Sequence, residues 1–527
     1  MNTALRRLAD WSAGTPKRLW AVAFALFFTL AGSWAMATPI GDGPDEYAHF
    51  IRAAAVARGQ IGGPEVMVPH RVAGTDGLFA ETGVQLPEWY QQLKTVHECY
   101  TGEDRPDASC APPLDGSEKL TQVTTAAGRY HPAYYLATGW PSLLVDGPDG
   151  LYLMRLMSAV LCAALLASAV VTAAEWRRRS PALLGVFAAA TPMALFMAGM
   201  ENPSGGEIAA GILVWTALLS VLMSPDPLLL NRRLARLGIG GLVLINIRPL
   251  GLIWFAGALA FGLLIRQRGV VRMVLRRKIL WVWTALLVLS AAGSLLWTAA
   301  HPDHSVIHVW EGLTKSSAAR ETISNTPTYI TQMLGFFGWL DPAAPTLSLT
   351  IWTGVLATLV VLGLSFGRKR AALAVVGMLI AIVLVPAIAQ GSQAEKVGMI
   401  WQGRYLLPFA VGLPLMCAMI CASRAPGQGL PWRRLVAAAA TGLAVADAAA
   451  FFWTLRRFAV GLWGPWLPLH AHWAPPGGWV LWTVVYTLAA FAVVLPVLVS
   501  DRPSTEADGP LRGGRPSRRA RRMASIG

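Results

Sequence analysis

The chain has 527 residues, 54% of them hydrophobic and only 14% charged, against roughly 25% charged in soluble domains. Its 44 Lys and Arg outnumber its 29 Asp and Glu, for a formal net charge of +15. A nucleic-acid-binding domain is excluded all the same, because 29 of the 44 cations, against 6 of the 29 acids, fall in the termini and short connections on one side of a series of apolar runs of membrane-spanning length, as the positive-inside rule requires.

Residues 1–38 read as a cytoplasmic N-terminus and a first transmembrane helix, taken as a retained anchor although "AMA" at 35–37 resembles a signal-peptidase site. Residues 39–150 form a large external loop lobe with interfacial helices: a helical candidate at 44–59, a Gly- and Pro-rich polar stretch, and an aromatic, Pro-broken return, "RYHPAYYLATGWPSLL". Residues 151–422 carry the transmembrane core, interrupted by an external segment at 301–346, and 423–499 the C-terminal transmembrane helices. Residues 500–527, with "RPSRRARRM", read as a disordered basic cytoplasmic tail at the anionic inner leaflet. The run 237–265 is flanked by cations on both sides and broken by "INIRPLG" at Arg248 and Pro249, which gives two short helices or a re-entrant pair. The expected fold is an all-α polytopic bundle of about 12 transmembrane helices, 10 if that pair is re-entrant, in a bacterial inner membrane with both termini cytoplasmic. Arg456 and Arg457 fall outside and run against the charge rule.

Cys99 and Cys110 lie in the external lobe as a disulfide candidate. Cys162, Cys417 and Cys421 read as packing residues of apolar helices. Asp447, well inside "GLAVADAAAFF", reads as a protonated or helix-paired carboxyl or as a proton-relay acid. His301, His304 and His308, with Asp303 and Glu311, have helical spacings that suit a metal, but no Cys/His zinc pattern accompanies them.

The chemistry concentrates in "GDGPDEYAHFIRAAAVARG", directly after the first apolar run. Asp42 or Gly43 can cap a helix, Pro44 suits its first turn, and Asp45 and Glu46 complement its positive end. Asp45, His49 and Arg52 share one face, while Tyr47, Phe50, Ile51 and Ala54 occupy the other, which can enter the headgroup region. Two readings stand at this point: a capped interfacial helix, or an acid held at the membrane surface as general base or metal ligand, oriented by His49 and kept ionised by Arg52. Two adjacent acids fit a base and a divalent-cation site equally.

"PDEYAHFIRA", "RYHPAYYL", "ENPSGGEI" and "WQGRYLLPF", in this order and spacing over most of 19–422, resemble an uncharacterised bacterial family of predicted membrane proteins that is itself similar to the GT-C glycosyltransferases. The resemblance implies a GT-C-like bundle, inversion at the sugar, a polyprenyl-phosphate sugar donor, and a catalytic acid in the first external loop at the position of Asp45, with Glu46 beside it as supporting acid or metal ligand. "HPAYY" has Ala133 where a second proline is expected, and "ENPSGGE" has Ser204 where some members carry an acid.

Arg404, at the external end of an apolar helix, and Arg248, after a helix break, then read as the donor-phosphate clamp; an interface-snorkelling role is the alternative for each. His131 and Tyr134 or Tyr135 are candidate sugar or phosphate contacts, against an aromatic interfacial belt for the tyrosines. Glu201 and Asn202, at a short turn, suit acceptor binding or turn structure. The leading reading is a membrane glycosyltransferase moving a sugar from a polyprenyl-phosphate donor to an extracytoplasmic cell-envelope glycan, lipid or protein. Its partners are the lipid bilayer, that donor and an envelope acceptor, and its cofactor is unknown, with a divalent cation at Asp45 and Glu46 left open. A transporter or flippase of a lipid-linked saccharide, with Asp447 and Arg248 as coupling charges, is the rival, and a noncatalytic scaffold a third reading.

Overall fold

The computed structural model describes residues 15–72, 75–101, 106–309, 312–424 and 432–499; the basic tail and Glu311 lie outside them. The chain opens with α1 (Pro16–Ala37), started by Pro16 and by the Thr15 hydroxyl, which accepts from the Arg18 N–H. The lobe follows: α2 (Glu46–Ala57), β1 (Glu65–Val72), β2 (Thr75–Pro87), α3 (Leu93–Thr101), β3 (Leu120–Thr125) and α4 (Ala133–Thr138). The bundle resumes with α5 (Gly147–Ala174), α6 (Arg179–Ala189), α7 (Pro192–Ala198), α8 (Pro203–Met223), α9 (Leu230–Ile247), α10 (Gly251–Leu264), α11 (Val270–Leu275) and α12 (Lys278–Ala300). A second excursion holds β4 (Val306–Val309), α13 (Lys315–Ser324) and α14 (Thr326–Gly335). The chain ends in α15 (Thr346–Phe366), α16 (Lys369–Val397), α17 (Gly403–Ala410), α18 (Gly412–Arg424), α19 (Trp432–Val460) and α20 (Trp479–Val499).

This is a multi-pass membrane protein. Among the described residues, 9 helices are long and apolar enough to cross a bilayer, or up to 10 if α6 and α7, bent by 65° across Ala190 and Thr191, make one span. The expected count of about 12 needs α9 and α10 to cross as well. The chain breaks between them where the sequence suggests, with Arg248 extended before Pro249, but α10 has only 14 residues. α8 is buried along its whole length at the centre of the bundle, whereas α12 buries only Ser294 and leaves its apolar side chains exposed or half-buried on the outside, as a helix facing lipid can.

The lobe is not all-α. β1, β2 and β3 form an antiparallel meander, and β4, from the second excursion, pairs with the first half of β2 (Leu78 opposite Val306, Gly77 opposite Ile307). The two excursions are thus one structure. Helical periodicity does not reveal such strands, because their alternation is weak and one edge comes from a distant segment. Cys99 and Cys110 are bridged, with Cα atoms 5.7 Å apart.

Arg456 and Arg457 lie at the lobe end of α19, buried and saturated. Arg456 donates to the carbonyls of Gly461, Leu462, Gly464 and Pro465. Arg457 pairs with Asp341 at 3.1 Å and donates to the Pro106 carbonyl at 2.6 Å. These cations staple loops to the bundle, which explains why they break a rule that describes free charge.

Candidate active site

α2 begins two residues later than its capping residues suggest. Asp45 is its N-cap, in the left-handed region at φ 56° and ψ 15°. That conformation is uncommon for a side chain other than Gly, Asn or Asp, and it persists only where its surroundings enforce it. The Asp45 carbonyl accepts from the Ala48 and His49 N–H groups, while its carboxyl makes no capping bond. The carboxyl, 49% exposed, instead meets the Arg404 guanidinium at 2.7 Å.

Arg404 sits in the first turn of α17. Its Nε donates to Gln402 at 2.7 Å, and the preceding Gly403 N–H donates to Gln332 of α14 at 2.7 Å. A β-carbon on Gly403 would collide with the Tyr329 carbonyl, so only glycine allows the two segments to meet here. Partial burial pushes the Asp45 carboxyl up, but the Arg404 charge and hydrogen bond, with the more distant Arg248 charge, more than offset it and hold it below the usual carboxylate range.

Arg248, at the α9–α10 break, donates to the Ser204 hydroxyl at 2.9 Å and to the Tyr130 hydroxyl at 3.4 Å. Its guanidinium carbon lies 5.6 Å from the Tyr130 ring centre and 5.0 Å from that of Tyr405. Beside it opens a cavity of about 300 Å³ whose lining includes Tyr130, Arg248, Gln390, Gln393, Trp401 and Tyr405. The Trp401 indole N–H is buried without a hydrogen-bond partner among the described residues.

Glu46 departs from its expected role. Its carboxylate is fully buried and held in a fork by Arg155 of α5, at 2.7 and 2.5 Å, and accepts the N–H groups of Glu201 at 3.0 Å and Gly41 at 3.2 Å. Arg155 also donates to the carbonyls of Ala35, Thr38 and Pro39. All of this fixes the chain between α1 and Asp45. With Glu46 so engaged, the ligand set beside Asp45 is one carboxylate facing two guanidiniums, which repels a divalent cation. The residues do not fit a metal, and no step is routed through one. Among the described residues no three His, Cys, Asp or Glu gather in a metal-binding group: His301 stacks on Trp297, His304 meets Glu65 and Asp303 pairs with Arg129.

His49 and Arg52 do not serve Asp45 as expected either. His49 binds the Tyr135 hydroxyl at 2.8 Å and stacks on Tyr130; burial, with Arg248 and Arg404 against the opposing pull of Asp45, pushes it down to about 3, so it is neutral. Arg52 donates to the carbonyls of Ile61 and Tyr130, at 2.8 and 3.1 Å. The physical reason is coverage: α2 is buried on both faces, because the sheet lies on it and the Thr125 hydroxyl donates to the Ala48 carbonyl at 2.7 Å. Tyr134 and Tyr135 are buried, the former bonded to Ser158. His131 accepts the Ala133 N–H at 3.3 Å and meets the edge of Trp297. Glu201 and Asn202 are buried rather than facing an acceptor: Thr138 donates to Glu201 at 2.6 Å, and the Asn202 amide donates to the Pro44 carbonyl at 2.6 Å while its oxygen caps α8. Asn202 thereby braces the residue before Asp45.

Asp42 is also buried, with Oδ2 unpartnered among the described residues and closely approached by Gly338, whose φ is 54°. Burial, only partly opposed by Arg457 and Arg155 and reinforced by Glu46 and Asp341, pushes its carboxyl up to about 8. Asp447, in the bundle, accepts from Tyr486 at 2.9 Å, and Tyr486 from the Trp34 indole at 3.1 Å.

Residues 26–413 match a family described as predicted membrane protein (DUF2142). No curated protein matches the chain. Among solved structures, ArnT from Cupriavidus metallidurans in the apo state is 15% identical with a TM-score of 0.37, over 70% of this chain and 66% of that one, just under two thirds of its length. The same protein bound to undecaprenyl phosphate is 12% identical with a TM-score of 0.42, over 91% of this chain and 76% of that one.

Proposed function

The chain belongs to the DUF2142 family of predicted membrane proteins, and we propose that it is a GT-C-like inverting glycosyltransferase of the bacterial inner membrane, with cytoplasmic termini and about 12 crossings. It transfers a sugar from a polyprenyl-phosphate donor to a hydroxyl of an extracytoplasmic envelope acceptor. The substrate class rests on the motif resemblance. The observation that carries the chemistry is the carboxyl of Asp45, half exposed, released from capping and held by Arg404 at 2.7 Å, beside a second guanidinium that borders a cavity large enough for a sugar ring.

In the proposed step the acceptor hydroxyl gives its proton to Asp45 as its oxygen bonds to the anomeric carbon from the face opposite the phosphate. The carbon–oxygen bond to phosphate breaks, and the polyprenyl phosphate leaves with the bonding pair, its growing charge met by the guanidinium side of the site. Glu46, His49, Arg52, Glu201 and Asn202 act one layer back, by fixing the loop and α2. The test is a purified, reconstituted protein given polyprenyl-phosphate sugars and envelope acceptors. Appearance of glycosylated acceptor with equimolar polyprenyl phosphate supports the reading; movement of intact lipid-linked saccharide across the bilayer without cleavage replaces it with the transport reading.

A further inference from the structure

Two guanidinium–carboxylate pairs share one tyrosine at the site, and they are unequal. Arg404 and Asp45 are in hydrogen-bond contact at 2.7 Å. Arg248 and Glu207 stand 3.9 Å apart, within reach of charge but not of a hydrogen bond. Glu207, in the first turns of α8, is 1% exposed, and its Oε1 has no hydrogen-bond partner among the described residues. The guanidinium carbons of Arg404 and Arg248 lie 5.1 and 5.0 Å from the centre of the Tyr405 ring. The cavity is lined by Arg248 and Tyr405, with Arg404 outside its lining.

We infer that Arg248 is the cation that receives the donor phosphate, that Arg404 is reserved for Asp45, and that Glu207 is a positioning residue whose charge sets how long the phosphate-bearing product stays. This rests on the glycosyltransferase reading and divides the labour within it. Arg404 cannot turn to a phosphate without breaking the contact that orients the base. Arg248 has no such commitment: its firm hydrogen bond is to a neutral hydroxyl, and its carboxylate neighbour is held at a distance. A phosphate entering the cavity therefore competes with Glu207 for one guanidinium.

The competition bears unequally on substrate and product. The donor is a phosphodiester with one negative charge, and the product is a phosphate monoester with a charge of about −1.5 to −2 near neutral pH. A buried carboxylate close behind the receiving cation repels the product more than the donor, because repulsion scales with charge. Glu207 thus weakens donor binding somewhat and product binding more, a difference that favours turnover where product release limits the rate.

The experiment measures binding of short-chain polyprenyl phosphate to the purified full-length protein, alongside steady-state kinetics and a melting curve. Measured at about pH 8.5, Glu207→Gln is expected to bind the product about tenfold more tightly, with kcat and KM falling together and product inhibition strengthened; Glu207→Asp should stay near wild type. Arg248→Gln should lose binding by at least about tenfold, while Arg404→Gln should change it by no more than about twofold and lose kcat instead. A purely structural role for Glu207 would weaken binding or leave it unchanged, and either result in a protein of normal melting behaviour overturns the inference. Loss of binding in Arg404→Gln equal to that in Arg248→Gln also overturns it. If Glu207→Gln fails to fold, Glu207→Ala carries the same expectation, and wild-type affinity at raised ionic strength should change little, because the pair is buried. Failure of the wild type to bind polyprenyl phosphate at all overturns the glycosyltransferase reading and this inference with it, whereas normal wild-type binding unaltered by the Glu207 variants overturns this inference alone.

Discussion

Asp45 and Arg404 are 359 positions apart in the chain and in contact at 2.7 Å in the fold. The contact joins the loop after the first span to the start of a late one, and it lowers the affinity of the Asp45 carboxyl for a proton. Asp45→Asn should abolish proton abstraction and lower kcat by about 10²- to 10⁴-fold. Asparagine tolerates the left-handed backbone, so the melting temperature should scarcely move. Transfer at the wild-type rate in the folded variant would remove Asp45 from the mechanism.

A base acts in its ionised form, so activity should fall as pH drops through the folded-state pKa of Asp45. Because that value lies below the ordinary 3.8, the acid limb of kcat should lie below about pH 4. Arg404→Gln leaves burial without its compensating cation and should move this limb upward. A pH–rate profile of the two proteins reads the difference directly, and coincident limbs would count against the pair as the controlling interaction.

Arg155 and Glu46 form a buried ion pair whose side chains are both 0% exposed. Removing one partner leaves the other charged and unpaired in the interior, which costs about 3 to 5 kcal/mol. Arg155→Met should therefore give poor folded yield in detergent, with Glu46→Gln in the same protein recovering part of the loss. A single Arg155→Met that melts like wild type would show that the fork is dispensable.

Asp42 imposes a stability trend opposite to that of an ordinary salt-bridged acid. Its folded-state value is raised from 3.8 to about 8, chiefly by burial, so the folded protein holds the proton more tightly than the unfolded chain does. The contribution is fully favourable below about pH 4 and is lost progressively as pH rises to about 8. Asp42→Asn should flatten this slope and raise the melting temperature at pH 8 by a few degrees relative to wild type. Thermal scans from pH 5 to 9 check the sign.

Asp447→Asn should leave sugar transfer intact and cost about 1 kcal/mol of stability through its hydrogen bond with Tyr486. If it instead blocked movement of a lipid-linked saccharide in vesicles, the coupling role of the transport reading would be restored.

Much of the bundle was legible because a span must satisfy its backbone internally and be apolar for about 20 residues; Pro249 announced the break beside Arg248 for the same reason. The position of Asp45 was legible too, but the identity of its partner was not, since nothing local to "PDEYAHFIR" specifies a contact with Arg404. His49 and Arg52 looked like its helpers because helical spacing records a shared face and says nothing of what covers that face. Arg155 carries a signal of its own: an arginine within "LYLMRLMSAV" needs a buried counter-charge, and Glu46 is that charge. Glu207, the acid in "SGGEIAAGILVW", is the same kind of signal. The strands escaped because β2 finds one of its neighbours in the second excursion.

The seam between β2 and β4 also sets a timetable. The Ala80 N–H donates to the Ser305 hydroxyl, 225 residues later. At synthesis rates of about 5 to 20 residues per second, the first excursion waits roughly 10 to 45 s with one edge of β2 unpaired. During that interval the edge can pair with another chain, so a chaperone or a neighbouring nascent copy would find its opening there before the strand that closes it has been made.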